Sequence, residues 1–409
     1  MNNHRRPDYD VIIAGAGPAG TSAAIRLATR GARVLLAEAK KFPRPKLCGE
    51  FISPECAVHF DRLGVAREML ASGGAKITET KFYVPSGHGV RMPSEWFQSG
   101  GHRVALGLSR AEMDARLLTR ARAVGVDVLE ESPVSGLIIE DEIVRGVKLK
   151  LNGAEKAFRS FVTLDATGRA RALSRRVNSA GSGRRQESKN RAPLVAFKVH
   201  LENTSTDENT CEIYFYGGGY GGLSGIENDL SNLCFIVRGC DLVGKGSDPA
   251  RALREIVMSN KRAACALRGA RVRSEWLSVA LESFGRRELI PTDGLIAAGD
   301  AASFIDPFTG GGMLMALESG ELAAETILAW LLRREREESG FATLAANYRA
   351  GYEAKFGARL RLCGWLRRAA FAPPLFAEAA ARALNVSAFV RRHIARSTRH
   401  ASLFSDTPT

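Results

Sequence analysis

A chain of 409 residues with 45% hydrophobic content can form two or three domains around a large core, and its composition fits neither disorder nor a fibre. The net charge of +14 is concentrated in two stretches: residues 169–191 hold eight Lys/Arg against one acidic residue, and residues 351–400 hold ten against two. Such basic surfaces meet anions, an acidic partner, nucleic acid or a membrane face, or simply keep a protein soluble.

In chain order, Arg5 and Arg6 precede an uncharged run, Val11 to Ile25, that mimics a secretion signal. Gly15, Gly17, Pro18 and Gly20 interrupt that run, and Asp8 and Asp10 stand before it. The run reads better as a strand and a turn. Residues 10–15, Asp-Val-Ile-Ile-Ala-Gly, suit a strand buried on both faces. Gly15-Ala16-Gly17-Pro18-Ala19-Gly20 then forms a GxGxxG pattern, and Thr21 to Arg30 is helix-compatible. Gly31 stops the helix, and residues 33–38 form a second strand ending on Glu38. In such a unit Gly15 permits the tight turn, Gly17 lets the backbone approach a diphosphate, and Gly20 lets the helix pack on the strand. The free N–H groups of the helix start stabilise phosphate charge, and Glu38 is suited to a ribose hydroxyl. The pattern points to a dinucleotide and does not separate NAD from FAD.

Further along, residues 76–102 alternate like strands between loops, and 169–191 reads as a loop without periodicity. Strands are expected at 194–200, 212–216 and 233–238. The glycine run after Tyr216 around Tyr220 fits a hairpin or a close approach of backbone to a ligand. Gly239 to Gly246 is a near miss for a P-loop, because Gly follows Lys245 where Ser or Thr is required. Residues 294–313 give a short strand ending at Gly299-Asp300, then Pro307 and Gly310, Gly311, Gly312 and Met313 before a helix, 314–332. Asp300 is suited to a sugar-like hydroxyl, and the helix start to the negative charge of a reduced flavin. Glu318, Glu321 and Glu325 exclude a membrane span there. The last segment, from about 346, is a basic helical tail broken at Pro373-Pro374; it suits an anionic membrane surface or packing on the first domain. Seven cysteines without a CxxC exclude a disulfide framework and a zinc ribbon, so a reducing cytoplasm is expected. The seven histidines have no metal-ligand spacing, and no metal is expected.

Together these segments resemble the FAD-dependent superfamily of single-component flavoprotein monooxygenases, flavin-dependent halogenases and geranylgeranyl reductases. The resemblance rests on Gly15–Gly20 with Glu38, on Arg44, Lys46, Cys48, Gly49 and Glu50, on Ser109-Arg110 with Asp114, and on Gly299-Asp300 with Pro307 and Gly310–Gly312. It implies an α/β fold with an α+β insert: a Rossmann-type FAD-binding domain (8–76, 104–178, 286–345) and a β-sheet substrate domain (77–103, 179–285) like that of the aromatic hydroxylases. The basic helical region (346–409) follows. The implied cofactor set is Gly15, Gly17, Ala19, Gly20, Glu38, Arg44, Lys46, Cys48, Gly49, Arg110, Gly299, Asp300, Pro307, Gly310, Gly311, Gly312 and Met313. Cys48 and Tyr220 are the candidate catalytic residues, with a buried inert thiol as the plain alternative for Cys48. Thr167 departs from the Ala-Asp-Gly of many hydroxylases, which bears on NADPH handling. Halogenation is disfavoured, because no Trp-x-Trp box is present.

The leading expectation is a monooxygenase that takes electrons from NADH or NADPH and hydroxylates an aromatic or lipid-like secondary metabolite through a flavin hydroperoxide. The first alternative is an ene reductase of the geranylgeranyl reductase type, and the second an electron-transferring dehydrogenase docked at a membrane. A small-molecule substrate and peripheral membrane contact through the tail are expected, and no nucleic-acid partner.

Overall fold

The computed structural model describes residues 7–181, 194–242, 248–281, 284–334, 340–371 and 374–399. The apolar run near the start becomes strand β1 (Tyr9–Ala14), followed by helix α1 (Pro18–Ala28) and strand β2 (Val34–Ala37). β1 pairs in parallel with β2 on one side and with Ala154–Asp165 on the other. Its side chains explain the continuous hydrophobicity: Val11 and Ile13 join the core under α1, while Ile12 and Ala14 face Val144, Val147 and Leu173. Leu295–Ala297 adds in parallel to the end of Ala154–Asp165, and Asp127–Leu129 closes the far edge beside β2. The strands Val134–Glu140 and Ile143–Leu151 join antiparallel at the start of Ala154–Asp165.

A second sheet orders its strands Arg271–Val272, Leu194–Glu202, Ser231–Arg238, Gly219–Gly225, Thr210–Tyr216, Glu79–Tyr83 and Gly89–Pro93, with Leu277–Leu281 also on Leu194–Glu202. Its two-residue period separates two faces. Phe197, Val199, Phe235 and Val237 pack under the helices Pro249–Glu255 and Lys261–Leu267. Ala196, Tyr220, Ile236 and Leu281 point the other way, toward the first domain. The glycine run is thus a hairpin: Gly219 and Gly221 sit so close to the neighbouring strand that a Cβ would lie 2.0 Å from Ile236 O and 2.8 Å from Phe235 Cβ.

Two segments differ from the sequence reading. Ser174–Gly181 is helical rather than looped, because the Asp165 carboxylate anchors its start by accepting Ser174 N–H (2.9 Å) and Oγ–H (2.7 Å). The remainder of that stretch, 182–191, lies outside the described residues, as do residues 243–247 of the P-loop near miss. The helix Phe341–Ala370 runs straight through the boundary drawn at 345/346, and Tyr348, Tyr352 and Phe356 lie in the first domain's core. The tail then crosses to the second sheet. Pro374–Val386 covers the turn at 84–89, where Glu378 accepts Ser86 N–H and Oγ–H, each at 2.9 Å. In Ala388–Ser397, Arg396 donates to Trp96 O at 3.4 Å. The tail leaves Trp365, Phe376, Val386 and Phe389 exposed among its arginines. Among the described residues no helix is long and apolar enough to cross a membrane.

Candidate active site

The two glycine turns are far apart in sequence and adjacent in space, because the helices they begin are packed together. Gly320, on the long helix Gly312–Arg334, leaves no room for a side chain against α1: a Cβ there would lie 2.2 Å from Ala19 O. Ser22 Oγ donates to Leu317 O at 3.2 Å, and Gly299 N–H donates to Ser319 Oγ at 2.9 Å. A Cβ on Gly299 would come within 2.8 Å of Ala19 Cβ. The start of α1 and the Gly299-Asp300 corner therefore form one wall.

That wall bounds a cavity of about 610 Å³. Gly15, Gly17, Ala19 and Glu38 line one end, Gly299, Asp300, Pro307, Gly310, Gly312 and Met313 the middle, and Tyr220, Gly222 and Ile236 of the second sheet the roof. Gly15 adopts φ +100, and a Cβ would collide with Ala166 O at 2.4 Å. Gly17 is extended and open to the cavity, with no side-chain cap on α1 and no acidic residue in its first turn. Gly20 is turned inward against Gly15 O, and Gly311 against Ile305 and Arg399; neither lines the cavity.

The Glu38 end of the cavity is rich in cations. Arg110 makes a two-pronged ion pair with the buried Asp114 (2.9 and 2.7 Å), and Arg44 bridges Asp114 (3.4 Å) to Glu38 (3.3 Å). Glu38 also accepts Ala16 N–H at 2.9 Å, which ties the second strand's end to the glycine turn. Burial and the neighbouring Arg44, Arg110 and Arg169 push the Lys46 ammonium down. Burial raises Asp300, although Arg169, Arg110 and Lys46 oppose that rise. Among the described residues no hydrogen bond satisfies the Asp300 carboxylate, so a ligand hydroxyl there has an acceptor waiting.

Cys48, Gly49 and Glu50 run along the side of the cavity. Cys48 Sγ accepts Glu50 N–H at 3.4 Å, and Cys48 O accepts Asn232 Nδ2 at 3.1 Å. Tyr220 donates its hydroxyl proton to the buried Asp306 and accepts Phe308 N–H at 3.1 Å. Burial first, and Asp306 second, raise the Tyr220 phenol far above its usual value. Sequence reasoning passed over the partners of Glu50: Lys198 and His200, on the strand Leu194–Glu202, both reach its carboxylate. Their signal was a Lys and a His at alternate positions in an apolar strand. Beyond the cationic end the walls turn apolar. Phe82, Tyr220 and Phe308 line them, and Phe215 packs behind these three rings; the contacts are edge-on, tilted or stacked, with centroids 5.8–6.5 Å apart.

A parallel-sheet glycine turn, a second glycine turn abutting it and a β-sheet roof over one shared cavity are the features of a dinucleotide-binding protein. The FAD binding domain family matches residues 8–350. The chain belongs to that family and is an FAD-dependent oxidoreductase. Digeranylgeranylglycerophospholipid reductase 1 of Methanococcoides burtonii is 27% identical over 336 residues, 79% of this chain and 76% of the relative. Among solved structures, the flavin-dependent brominase Bmp2 superposes with a TM-score of 0.78 at 23% identity, over 95% of this chain and 93% of that one. A geranylgeranyl bacteriochlorophyll reductase-like protein from Thermoplasma acidophilum gives 0.73 at 20% identity, over 95% of each chain.

The residues present fit FAD. The open Gly17, the cationic residues beside it and Asp300, which has no hydrogen-bond partner among the described residues, offer a diphosphate and a polyol the partners they need around one cavity.

Proposed function

We propose that this protein reduces carbon–carbon double bonds in a prenyl-chain substrate, using FAD. The similarity to a digeranylgeranylglycerophospholipid reductase over three quarters of both chains carries this reading. It favours the ene-reductase alternative over the hydroxylation expected first from sequence. The aromatic chamber supports it, since a prenyl chain is apolar along its length and gains from leaving water.

In this reading Gly17 and the start of α1 hold the cofactor's diphosphate, with Arg44 and Arg110 balancing its charge. Asp300 would accept from the sugar-alcohol chain, and Gly310 and Gly312 at the start of the long helix would help hold the ring system. When bound and reduced, the flavin supplies a hydride; NADH or NADPH is the proposed source of electrons. Phe82 and Phe308 hold the chain and exclude water, with Phe215 packed behind them. Reduction also needs a proton on the neighbouring carbon. Cys48 is the proposed donor, because it lines the cavity wall, whereas Tyr220 points its hydroxyl proton at Asp306.

Dithionite-reduced enzyme mixed anaerobically with geranylgeranyl phosphate is expected to return to the oxidised flavin spectrum. Cys48→Ala is expected to slow that return about a hundredfold, as loss of a general acid does, with FAD binding unchanged and Cys48→Ser partly active. An unchanged rate in Cys48→Ala removes the thiol from the mechanism, and no reoxidation by any prenyl lipid overturns the reductase reading.

A further inference from the structure

The tail helix Pro374–Val386 is apolar on two sides, and only one of them is covered. Its inner residues Ala377, Ala381 and Leu384 form one cluster with Phe82, Val84 and Val90. Glu378 is engaged with Ser86, and Asn385 Nδ2 donates to Gly89 O at 3.0 Å, so the inner side is fixed in place. On the outside, Phe376, Ala379, Ala380, Ala383 and Val386 are all exposed. They recur every three or four residues, which sets them on one arc of about 120° around the helix. Phe376 is 68% exposed and Val386 87%. The row runs on into the next helix, Ala388–Ser397, where Phe389 is 78% exposed and Val390 44%. Arg391 Nη1 donates to Leu384 O at 2.7 Å and ties the two helices together at this corner.

Single exposed apolar side chains are ordinary, whereas a contiguous row on a helix anchored from behind marks an interaction surface. The surrounding charge says what kind. Residues 374–399 hold five arginines against one acid, Glu378, which already serves Ser86. Arg382 and Arg392 are exposed on the same two helices. A second copy of the chain meeting this face with its own would set arginine against arginine, on molecules that each carry a net charge of +14. An anionic lipid surface satisfies both features: its acyl boundary takes up the phenylalanines and valines, and its head groups balance the arginines. The family match ends at residue 350, so it does not account for this surface.

We propose that the outer row from Phe376 to Val390 docks the protein on an anionic phospholipid membrane. The placement bears on the cavity. Phe82, in the cluster beneath the same helix, also lines the cavity. Docking therefore holds that part of the cavity wall about 10 Å from the lipid, one helix diameter. The proposal concerns the surface and stands apart from the choice of substrate.

The test sediments FAD-loaded, full-length protein with vesicles of phosphatidylcholine alone and of phosphatidylcholine mixed with phosphatidylglycerol. Wild type is expected to bind the mixed vesicles at least about tenfold more tightly than the neutral ones. Phe376→Ser combined with Phe389→Ser is expected to lower affinity for the mixed vesicles at least about tenfold, with FAD content and melting temperature unchanged, because both are surface positions. Arg382→Gln combined with Arg392→Gln is expected to bring the mixed-vesicle affinity down toward the neutral one. Wild type that binds neither vesicle, or both equally, overturns the proposal. A double serine variant that binds as tightly as wild type overturns the row as the contact. If wild type runs as a dimer in gel filtration and the double serine variant as a monomer, a second copy covers the row and the proposal is overturned.

Discussion

Gly17→Ala is expected to fold normally and lose about a hundredfold in FAD affinity, roughly 2.7 kcal/mol, whereas Gly20→Ala, three residues on, is expected not to fold properly. The two glycines differ in what surrounds them. Gly17 is extended (φ −78, ψ −176), a conformation open to any residue, and a Cβ there touches only Arg110 Nη2 at 3.6 Å. The apoprotein therefore tolerates the methyl group. It stands, however, where a diphosphate must approach the backbone and the free N–H groups of α1. At Gly20 a Cβ would lie 1.9 Å from Gly15 O and 3.2 Å from Ala166 Cβ, so β1, α1 and the strand Ala154–Asp165 would all have to separate. Overpacking between backbones of this kind costs about 3 kcal/mol or more. Flavin fluorescence quenching gives the affinity, and thermal melts of apoprotein give the fold. Wild-type affinity in Gly17→Ala, or a wild-type melt in Gly20→Ala, contradicts these roles.

Glu50→Gln is expected to destabilise the protein by about 3–5 kcal/mol at neutral pH, the cost of leaving a buried charge without its partner. Glu50 is fully buried at φ +53, a conformation that a non-glycine residue adopts only when held there. What holds it is its carboxylate, which accepts Arg110 N–H (2.8 Å), His200 Nε2 (2.7 Å) and the Lys198 ammonium. Lys198 is 2% exposed, and its ammonium also donates to Lys46 O at 3.1 Å. Burial alone would raise the Glu50 carboxyl; the His200 hydrogen bond and the Lys198 charge more than offset it, so the net shift is downward from 4.5. A carboxyl depressed by folding stabilises above its unfolded value and loses that contribution as pH falls through the folded one. The gap between wild type and Glu50→Gln is therefore expected to be full at neutral pH and to shrink below about pH 4.5. Adding Lys198→Met to Glu50→Gln is expected to recover most of the loss, because removing both charges is nearly neutral. Urea denaturation across about pH 3–8, which spans the carboxylate titration, measures this. A gap that does not depend on pH, or a double variant no better than the single, contradicts the ion-pair account.

The glycine turn and its flanking strands were legible because their signals are local: an apolar run, three glycines and an acid within thirty residues. The turn at Pro307–Gly312 was legible for the same reason. Lys198 and His200 were not assigned, because a charge in an apolar strand shows only that it needs a partner. The partner, Glu50, lies about 150 residues earlier in sequence. Arg399 was hidden among the tail's other arginines, since composition cannot distinguish a solvated arginine from one that turns inward over Phe97. The choice between hydroxylation and reduction was not legible from the cofactor motifs. Those motifs grip the same molecule in either chemistry, and only the chamber beyond them differs.

Product mass after anaerobic turnover is the most direct measurement of the central claim, that this cavity joins a reduced flavin to a prenyl chain for saturation of its double bonds. With FAD-loaded enzyme, dithionite and geranylgeranyl phosphate, the account predicts products heavier by two hydrogens for each bond reduced, formed without oxygen. Product that appears only in air and is heavier by one oxygen atom would contradict it.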